Sequence, residues 1–99
     1  LLAVRGLTPL RGRLVPLIHL AALLTGGAAP AAPGRTVVLV ELGGGRQGAF
    51  EVDDADAVVR EPALPVPRGQ SLPWAAGVAE QNGTLVPILD LEALGDRIG

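Results

Sequence analysis

Two stretches of the chain, one near each end, carry almost the same pattern of apolar and polar positions. Residues 6–23 and 77–94 are related by a shift of 71 and are identical at eight of eighteen positions. Each begins with glycine, has a second glycine six residues later, and continues with Leu-Val-Pro and aliphatic residues. A glycine between two apolar runs is typical of a tight turn, so each copy predicts a β-hairpin followed by a short helical turn.

Proline positions and helix starts refine this prediction. Pro16 and Pro87 stand in the returning strands, and Pro9 stands in the outgoing strand of the first copy. Because proline cannot donate a ladder hydrogen bond, these strands are expected at a sheet edge or a bulge. Asp90 is placed to cap the second helix, whereas His19, at the equivalent position of the first copy, is a poorer cap.

The segments between the two copies predict a linker, two strands and a loop. Residues 25–35 form a low-complexity linker, and residues 36–42 form a strand that is nearly apolar on both faces. A second strand is predicted from residue 47 to 59, and its apolar positions change face at residues 53–54, which predicts a bulge or bend there. These two strands are expected to pair with the second copy. Residues 61–73 form a proline-rich loop.

Composition indicates a mostly β domain built from short strands. Fourteen glycines and nine prolines favour turns over long helices. Phe50 and Trp74 are the only aromatic residues, so the core must consist mainly of aliphatic side chains. Trp74 is interpreted as a core residue, with an interface anchor as the alternative. Since only a short stretch precedes the first copy and residue 1 is not Met, we expect the chain to be the back part of a two-barrel protein whose first barrel is incomplete.

Charge and cysteine content argue against several functions. Eight arginines against ten acidic residues give a net charge of −2, without a basic stripe, which argues against nucleic-acid binding. The absence of cysteine excludes thiolate metal sites and cysteine nucleophiles. A catalytic triad built on Ser71 and His19 has no supporting motif, so we expect no enzyme activity and no cofactor.

An acidic cluster invites a calcium site, but it does not follow a known calcium-loop pattern. Its members are Glu51, Asp53, Asp54 and Asp56. The spacing lacks the glycine and the distal glutamate of an EF-hand loop. We therefore expect a solvated strand face and no metal.

The first quarter of the chain also has the layout of a secretory signal. Two arginines precede an apolar run over residues 14–24 and a stretch rich in small residues. Pro16 and His19 interrupt the run, which is too short to span a membrane. A secreted β domain is therefore an alternative, although a signal peptide would not be repeated inside the mature domain.

The chain resembles the CheW-like domain family in several motifs and in the order in which they follow one another. The stretch GLTPLRG at residues 6–12 and the following VPLIHL are similar to that family's signature, G-x-x-N-L-R-G followed by proline, two hydrophobic residues and Asp-Leu. The strand TVVLV, the Val52-Asp53 pair and the second copy follow in the family's order. His19 and Pro9 depart from the usual Asp and Asn.

The resemblance implies two SH3-like β-barrel subdomains and a non-enzymatic adaptor role in the cytoplasm. The expected division is residues 1–24 for the remainder of the first barrel, a linker at 25–35, and residues 36–99 for the second barrel. Implied partners are chemoreceptor tips and the regulatory domain of a CheA-type histidine kinase, with self-association possible. The same fold as the regulatory domain of a CheA-type kinase or in a CheV-type fusion is an alternative.

Four residues are predicted to contact partners. Through the resemblance, Arg11 is expected to matter for receptor and kinase contacts, and a solvated turn charge is the alternative. Val37 and Val38 point to opposite faces of their strand, so one is available for docking unless both are buried. Gly48 would allow a partner backbone to approach, unless it is simply a turn or bulge glycine.

Overall fold

The structure is a computed structural model that describes residues 2–32 and 36–98. It contains six strands and two short helices within these ranges. They are β1 (Val4–Leu10), β2 (Arg13–His19), α1 (Leu20–Thr25), β3 (Thr36–Gly43), β4 (Arg46–Val52), β5 (Ala75–Gln81), β6 (Thr84–Leu89) and α2 (Leu91–Ile98). The prediction of a mostly β chain with short helices after each repeated hairpin is confirmed.

Both copies of the repeat fold into the predicted antiparallel hairpin. β1 pairs with β2 and β5 pairs with β6. Arg11 and Gly12 form the first turn with φ of 49° and 78°, and Asn82 and Gly83 form the second with φ of 51° and 79°. Two consecutive left-handed residues define a type I′ hairpin turn, whose twist matches that of the strands.

The two hairpins also share an irregularity and a strand-end hydrogen bond. The register shifts between Val4 and Gly6 in the first hairpin, and between Ala75 and Gly77 in the second. At the end of each hairpin, a backbone amide donates to the carbonyl of the residue just before the first strand. The amide of His19 donates to the Ala3 carbonyl at 2.9 Å, and the amide of Asp90 donates to the Trp74 carbonyl at 2.8 Å. The repeat in the sequence is therefore a repeat in backbone geometry.

Each short helix begins at a side-chain cap in the equivalent position. The Asp90 carboxylate accepts from the amide of Ala93 at 3.0 Å, as predicted. His19, the poorer cap by residue type, accepts through Nδ1 from the amide of Ala22 at 3.1 Å. Both bonds satisfy a backbone donor that the first turn of a helix leaves free.

The strands between the copies pair with the first hairpin, so the expectation that they pair with the second is wrong. The larger sheet has the order β1-β2-β4-β3, and β2 runs parallel to β4 through pairs such as Leu17 with Ala49. A parallel pair needs a long connection, and the one between β2 and β4 contains α1, the loop after it and β3. Gly48 in β4 leaves room for Ile18, whose side chain is fully buried. The division into residues 1–24 and 36–99 stays a prediction, but hydrogen bonds join its two parts.

The second hairpin forms a separate two-stranded sheet. Its outer β5 edge is covered at one residue, because Leu64 and Val78 exchange two backbone hydrogen bonds of 2.8 Å. Within the described ranges, no strand pairs with the outer edge of β6. Pro9 in β1 and Pro87 in β6 lie in edge strands of the described sheets, as expected. The same expectation is wrong for Pro16, because β2 is an inner strand; its pairing with β4 begins only at Leu17, so the missing N–H of Pro16 interrupts none of the pairs with β4 that the structure describes.

The chain leaves the sheet at the predicted bend, but the strand expected after it is absent. β4 ends at Val52, and residues 54–63 have no regular secondary structure. The carboxylates of Asp54 and Asp56 each accept from the amide of the next residue, at 2.9 and 2.8 Å. Such local bonds compete with sheet pairing, which explains why the apolar alternation at residues 55–59 does not produce a strand.

Both hairpins contribute to one core. Its buried members are Ala3, Ile18, Ala22, Leu23, Leu42, Phe50 and Leu94. Leu94 comes from α2, and Arg97 of that helix donates to the Leu23 carbonyl at 2.8 Å. The second copy is thus anchored to the first through its closing helix.

Candidate partner-docking surface

Arg11 stands at the tip of the first hairpin, with its side chain exposed. Its left-handed conformation is fixed by the I′ turn that it forms with Gly12. The side chain makes no hydrogen bond or ion pair to residues 2–32 or 36–98. A planar guanidinium presented in this way is available to a carboxylate or a backbone carbonyl of a partner.

The edge strand β3 exposes three consecutive apolar side chains. Val37, Val38 and Leu39 are 50%, 37% and 55% exposed. We call these three residues the β3 patch. The alternative in which Val37 and Val38 are both buried is therefore wrong. Among the described strands β3 is the last in its sheet, so its outer backbone groups are also available for pairing with another chain.

The topology brings Arg11 beside Leu39, at one end of the β3 patch. The parallel alignment of β2 and β4 places the tip of the first hairpin at the same end of the sheet as the β3–β4 turn. A groove of about 430 Å³ lies between them, lined by Leu10, Arg11, Arg13, Leu39, Val40, Glu41 and Gln47. The groove thus joins two arginines to Leu39, whereas Val37 and Val38 lie outside its lining. Sequence reasoning missed Leu39 and Arg13, although Leu39 directly follows the two valines.

Gly48 is not part of this surface. It is buried in β4, and a Cβ added there would lie 3.0 Å from Cδ1 of Leu42 and 3.5 Å from Cδ1 of Ile18. Close packing explains why this position has no side chain. Its predicted partner contact is not favoured by this geometry.

Trp74 lies where the core interpretation puts it. Its ring is half-buried and packs against the core, and its carbonyl accepts from Asp90. It also lines a cavity of about 460 Å³ together with Arg97 and the end of α1. The interface-anchor alternative gains no support from this position.

A charged pair holds the linker to the sheet, and the sequence did not reveal it. Arg5, the residue at the bulge of β1, donates from Nε to Glu51 Oε1 at 2.6 Å. The same guanidinium donates to the carbonyls of Pro30 at 2.7 Å and Ala32 at 3.2 Å. Glu51 is only 3% exposed, so the expectation that the whole acidic cluster is solvated is wrong for this member.

A second groove borders the first hairpin and shares Arg13 and Gln47 with the groove beside Arg11. Its volume is about 580 Å³, and its lining includes Leu7, Leu14, Arg13 and Arg46. Leu7 and Leu14 are 64% and 66% exposed, and Arg46 donates to the Gly95 carbonyl at 3.2 Å. Sequence patterning gave no sign of this groove, because β1 and α2 meet only in the folded chain.

The described residues contain no group of three or more histidine, cysteine, aspartate or glutamate side chains placed to hold a metal ion. Neither helix in the described part of the chain has the length and apolarity needed to cross a bilayer.

Comparison with known proteins identifies the family. The CheW-like domain family matches residues 3–98, and the chain belongs to that family. A search of curated proteins gives no match.

A solved structure shares the fold. It is that of the scaffolding protein TtCheW from Thermoanaerobacter tengcongensis, which matches with a TM-score of 0.74 and 22% sequence identity. The match covers 93% of this chain and 62% of that chain, so the present chain spans less than two thirds of that protein. At this identity the likeness establishes the fold.

Proposed function

We propose that the chain is a non-enzymatic cytoplasmic adaptor that couples chemoreceptors to a CheA-type histidine kinase. The observation that carries the proposal is the groove that joins Arg11 and Arg13 to Leu39 of the exposed β3 edge, on a domain of the CheW-like family. Apolar side chains on an open strand edge support pairing with another β domain, and the arginine adds charge-dependent specificity.

The two-barrel organisation belongs to the same proposal, with one change to the sequence-based division. β2 offers its outer edge to β4, while the equivalent edge of β6 has no strand partner in the described part of the chain. We assign β3 and β4 to the barrel of the first hairpin.

The alternative of a secreted domain finds less support. Residues 4–25 form β1, β2 and α1, and Ile18 and Leu23 are among the most buried side chains. Cleavage of a signal peptide would remove these elements from the core.

Isothermal titration of the protein into a CheA regulatory domain tests the coupling role. Wild-type protein is expected to bind saturably. Arg11→Glu is expected to weaken binding by about tenfold or more. It replaces the guanidinium by a carboxylate, which repels the partner carboxylate that the arginine would pair with at the rim of the interface. Arg68→Glu is the matched control, since Arg68 is also exposed in a turn but lies in the 61–73 loop.

The apolar part of the surface is tested in the same way. Val38→Asp is expected to reduce binding, whereas Val58→Asp, at a loop position 93% exposed, is expected to leave it unchanged. If folded wild-type protein fails to bind, the coupling proposal is wrong. If Arg11→Glu and Arg68→Glu behave alike, the partner contacts another face. Sedimentation velocity on the same samples shows whether the β3 edge is used instead for self-association.

A further inference from the structure

The two short helices hold equivalent positions, but their caps differ in chemistry. α2 follows Asp90, whose carboxylate accepts from the amide of Ala93 at 3.0 Å. α1 follows His19, whose Nδ1 accepts from the amide of Ala22 at 3.1 Å. An ionised carboxylate is always an acceptor, whereas an imidazole nitrogen accepts only while it carries no proton. The first helix therefore has a cap that a single protonation removes.

Protonation leaves the His19 ring without an acceptor for this bond. In the imidazolium form both ring nitrogens carry hydrogen, so Nδ1 would face the amide of Ala22 as a second donor. A cation is also disfavoured at the N-terminus of a helix, where the free amides create a partial positive charge. Histidine changes its charge between about pH 5 and 8, a range that spans neutral pH.

The charged groups around His19 do not restore the cap. α1 packs on β2 and β4 and has no charged residue of its own. On β4, Glu51 is the register partner of His19, and Arg5 of β1 binds its carboxylate at 2.6 Å. Glu51 attracts an imidazolium and Arg5 repels it, so their effects oppose each other. The other charged residues of β2 and β4, Arg13 and Arg46, stand at the opposite ends of these strands.

α1 is also the element that connects the first hairpin to the second. Leu23 of α1 and Leu94 of α2 are buried in the shared core. Arg97 of α2 donates to the Leu23 carbonyl at 2.8 Å, and its charge adds to the repulsion of a cation at α1. The end of α1 lines a cavity of about 460 Å³ together with Trp74 and Arg97. We call the contact among these four residues the hairpin joint.

We propose that His19 makes the hairpin joint sensitive to pH. While His19 is neutral, α1 is capped and packs against α2. Protonation removes the cap, loosens the first turn of α1 and weakens its packing against Trp74 and Arg97. The cap stabilises only the neutral form of the folded chain, so its contribution to stability is lost as the pH falls through the range in which histidine takes up a proton. This property goes beyond the adaptor role and does not depend on it.

Substitutions at His19 provide matched controls. Asparagine accepts the Ala22 bond through its side-chain oxygen without titrating, and aspartate reproduces the cap of the second helix. In wild-type protein, the protection factor of the Ala22 amide is expected to fall by about threefold or more between about pH 8 and 5. It is expected to stay constant in His19→Asn and His19→Asp. The amide of Ala93, under Asp90, is the control within the wild-type chain.

Fluorescence reports on the hairpin joint, because Trp74 is the only tryptophan in the chain. Its emission is expected to move to longer wavelength as His19 takes up its proton, which the ring NMR signals of this single histidine follow. His19→Asn is expected to show no such change. If Ala22 stays protected while His19 is charged, or if Trp74 emission follows pH equally in wild type and His19→Asn, the proposal is overturned. Neither measurement involves a binding partner, so its failure is separate from a failure of the coupling role.

Discussion

The two equivalent glycines allow a matched pair of substitutions, Gly77→Ala and Gly6→Ala. Neither residue has positive φ, so alanine is compatible with both backbones. Among the described residues, the new methyl group makes a close contact at Gly77 and not at Gly6, and the closest atom is the carbonyl oxygen of Leu64 at 2.7 Å. The pair therefore separates the effect of one close contact from the general effect of replacing a strand glycine.

The expected magnitude follows from the bonds around Gly77. Ordinary C···O contacts lie near 3.3 Å, so the Leu64 carbonyl has to move by roughly 0.6 Å. That movement strains both 2.8 Å hydrogen bonds to Val78. Each is worth a net ~0.5–1.5 kcal/mol, so the contact costs about 1–3 kcal/mol. Alanine also relieves the entropic cost of a strand glycine, about 0.5–1 kcal/mol, equally in both variants. Gly77→Ala is expected to be about 1–3 kcal/mol less stable than Gly6→Ala.

Urea unfolding followed by circular dichroism measures this difference, and thermal melts check it at about 4–8 °C per kcal/mol for a chain of this size. Amide exchange at Val78 reports whether the bonds to Leu64 persist. If the two variants have the same free energy of unfolding and Val78 stays protected, the segment around Leu64 yields without cost. The reasoning from the close contact would then be refuted.

Four other substitutions test the packing and capping described above. Arg5→Ala is expected to cost about 1.5–3 kcal/mol, because it removes a charge-assisted hydrogen bond from buried Glu51, and urea unfolding measures it. Asp90→Ala and His19→Ala are each expected to cost ~0.5–2 kcal/mol through loss of a helix cap, measured by thermal melts. Phe50→Ala is expected to cost about 3–5 kcal/mol because the ring is only 2% exposed, measured by the same urea assay.

Controls for these predictions lie in the irregular loops. Arg60→Ala removes an exposed arginine in a segment without regular structure and is expected to change stability by less than about 0.5 kcal/mol. An Arg5→Ala effect no larger than that of Arg60→Ala would contradict the role given to the pair with Glu51. A neutral His19→Ala would show that the six-residue helix α1 is held by Leu23 in the core and not by its cap.

Local chemistry made a large part of the fold predictable. The hairpins at residues 6–23 and 77–94, the cap at Asp90 and the bend at residues 53–54 all depend on residues that are close in sequence. Their signals are the turn glycines, a carboxylate before a helix and a change of apolar phase. The strand expected at residues 55–59 failed for a local reason too, since the neighbouring aspartates bond to their own backbone.

The candidate site was predictable in composition but not in arrangement. Arg11, Val37 and Val38 were identified, and all three are exposed. Arg11 meets the β3 edge through Leu39 and not through the two valines, and this arrangement depends on the parallel pairing of β2 with β4, which no local pattern encodes. Gly48 was placed with them because a glycine in a strand suits close approach, but the close neighbours are the core residues Leu42 and Ile18.

The sequence by itself determined the repeat, the turns and the helix caps, because each depends on backbone preferences within a few residues. Tertiary structure decided which hairpin pairs with β3 and β4, and that Glu51 is buried against Arg5. It also decided that the Leu64 segment packs against Gly77, whereas none of the described residues packs against the equivalent Gly6. These outcomes depend on contacts between residues far apart in the chain, whose free energy exists only when the elements are packed together.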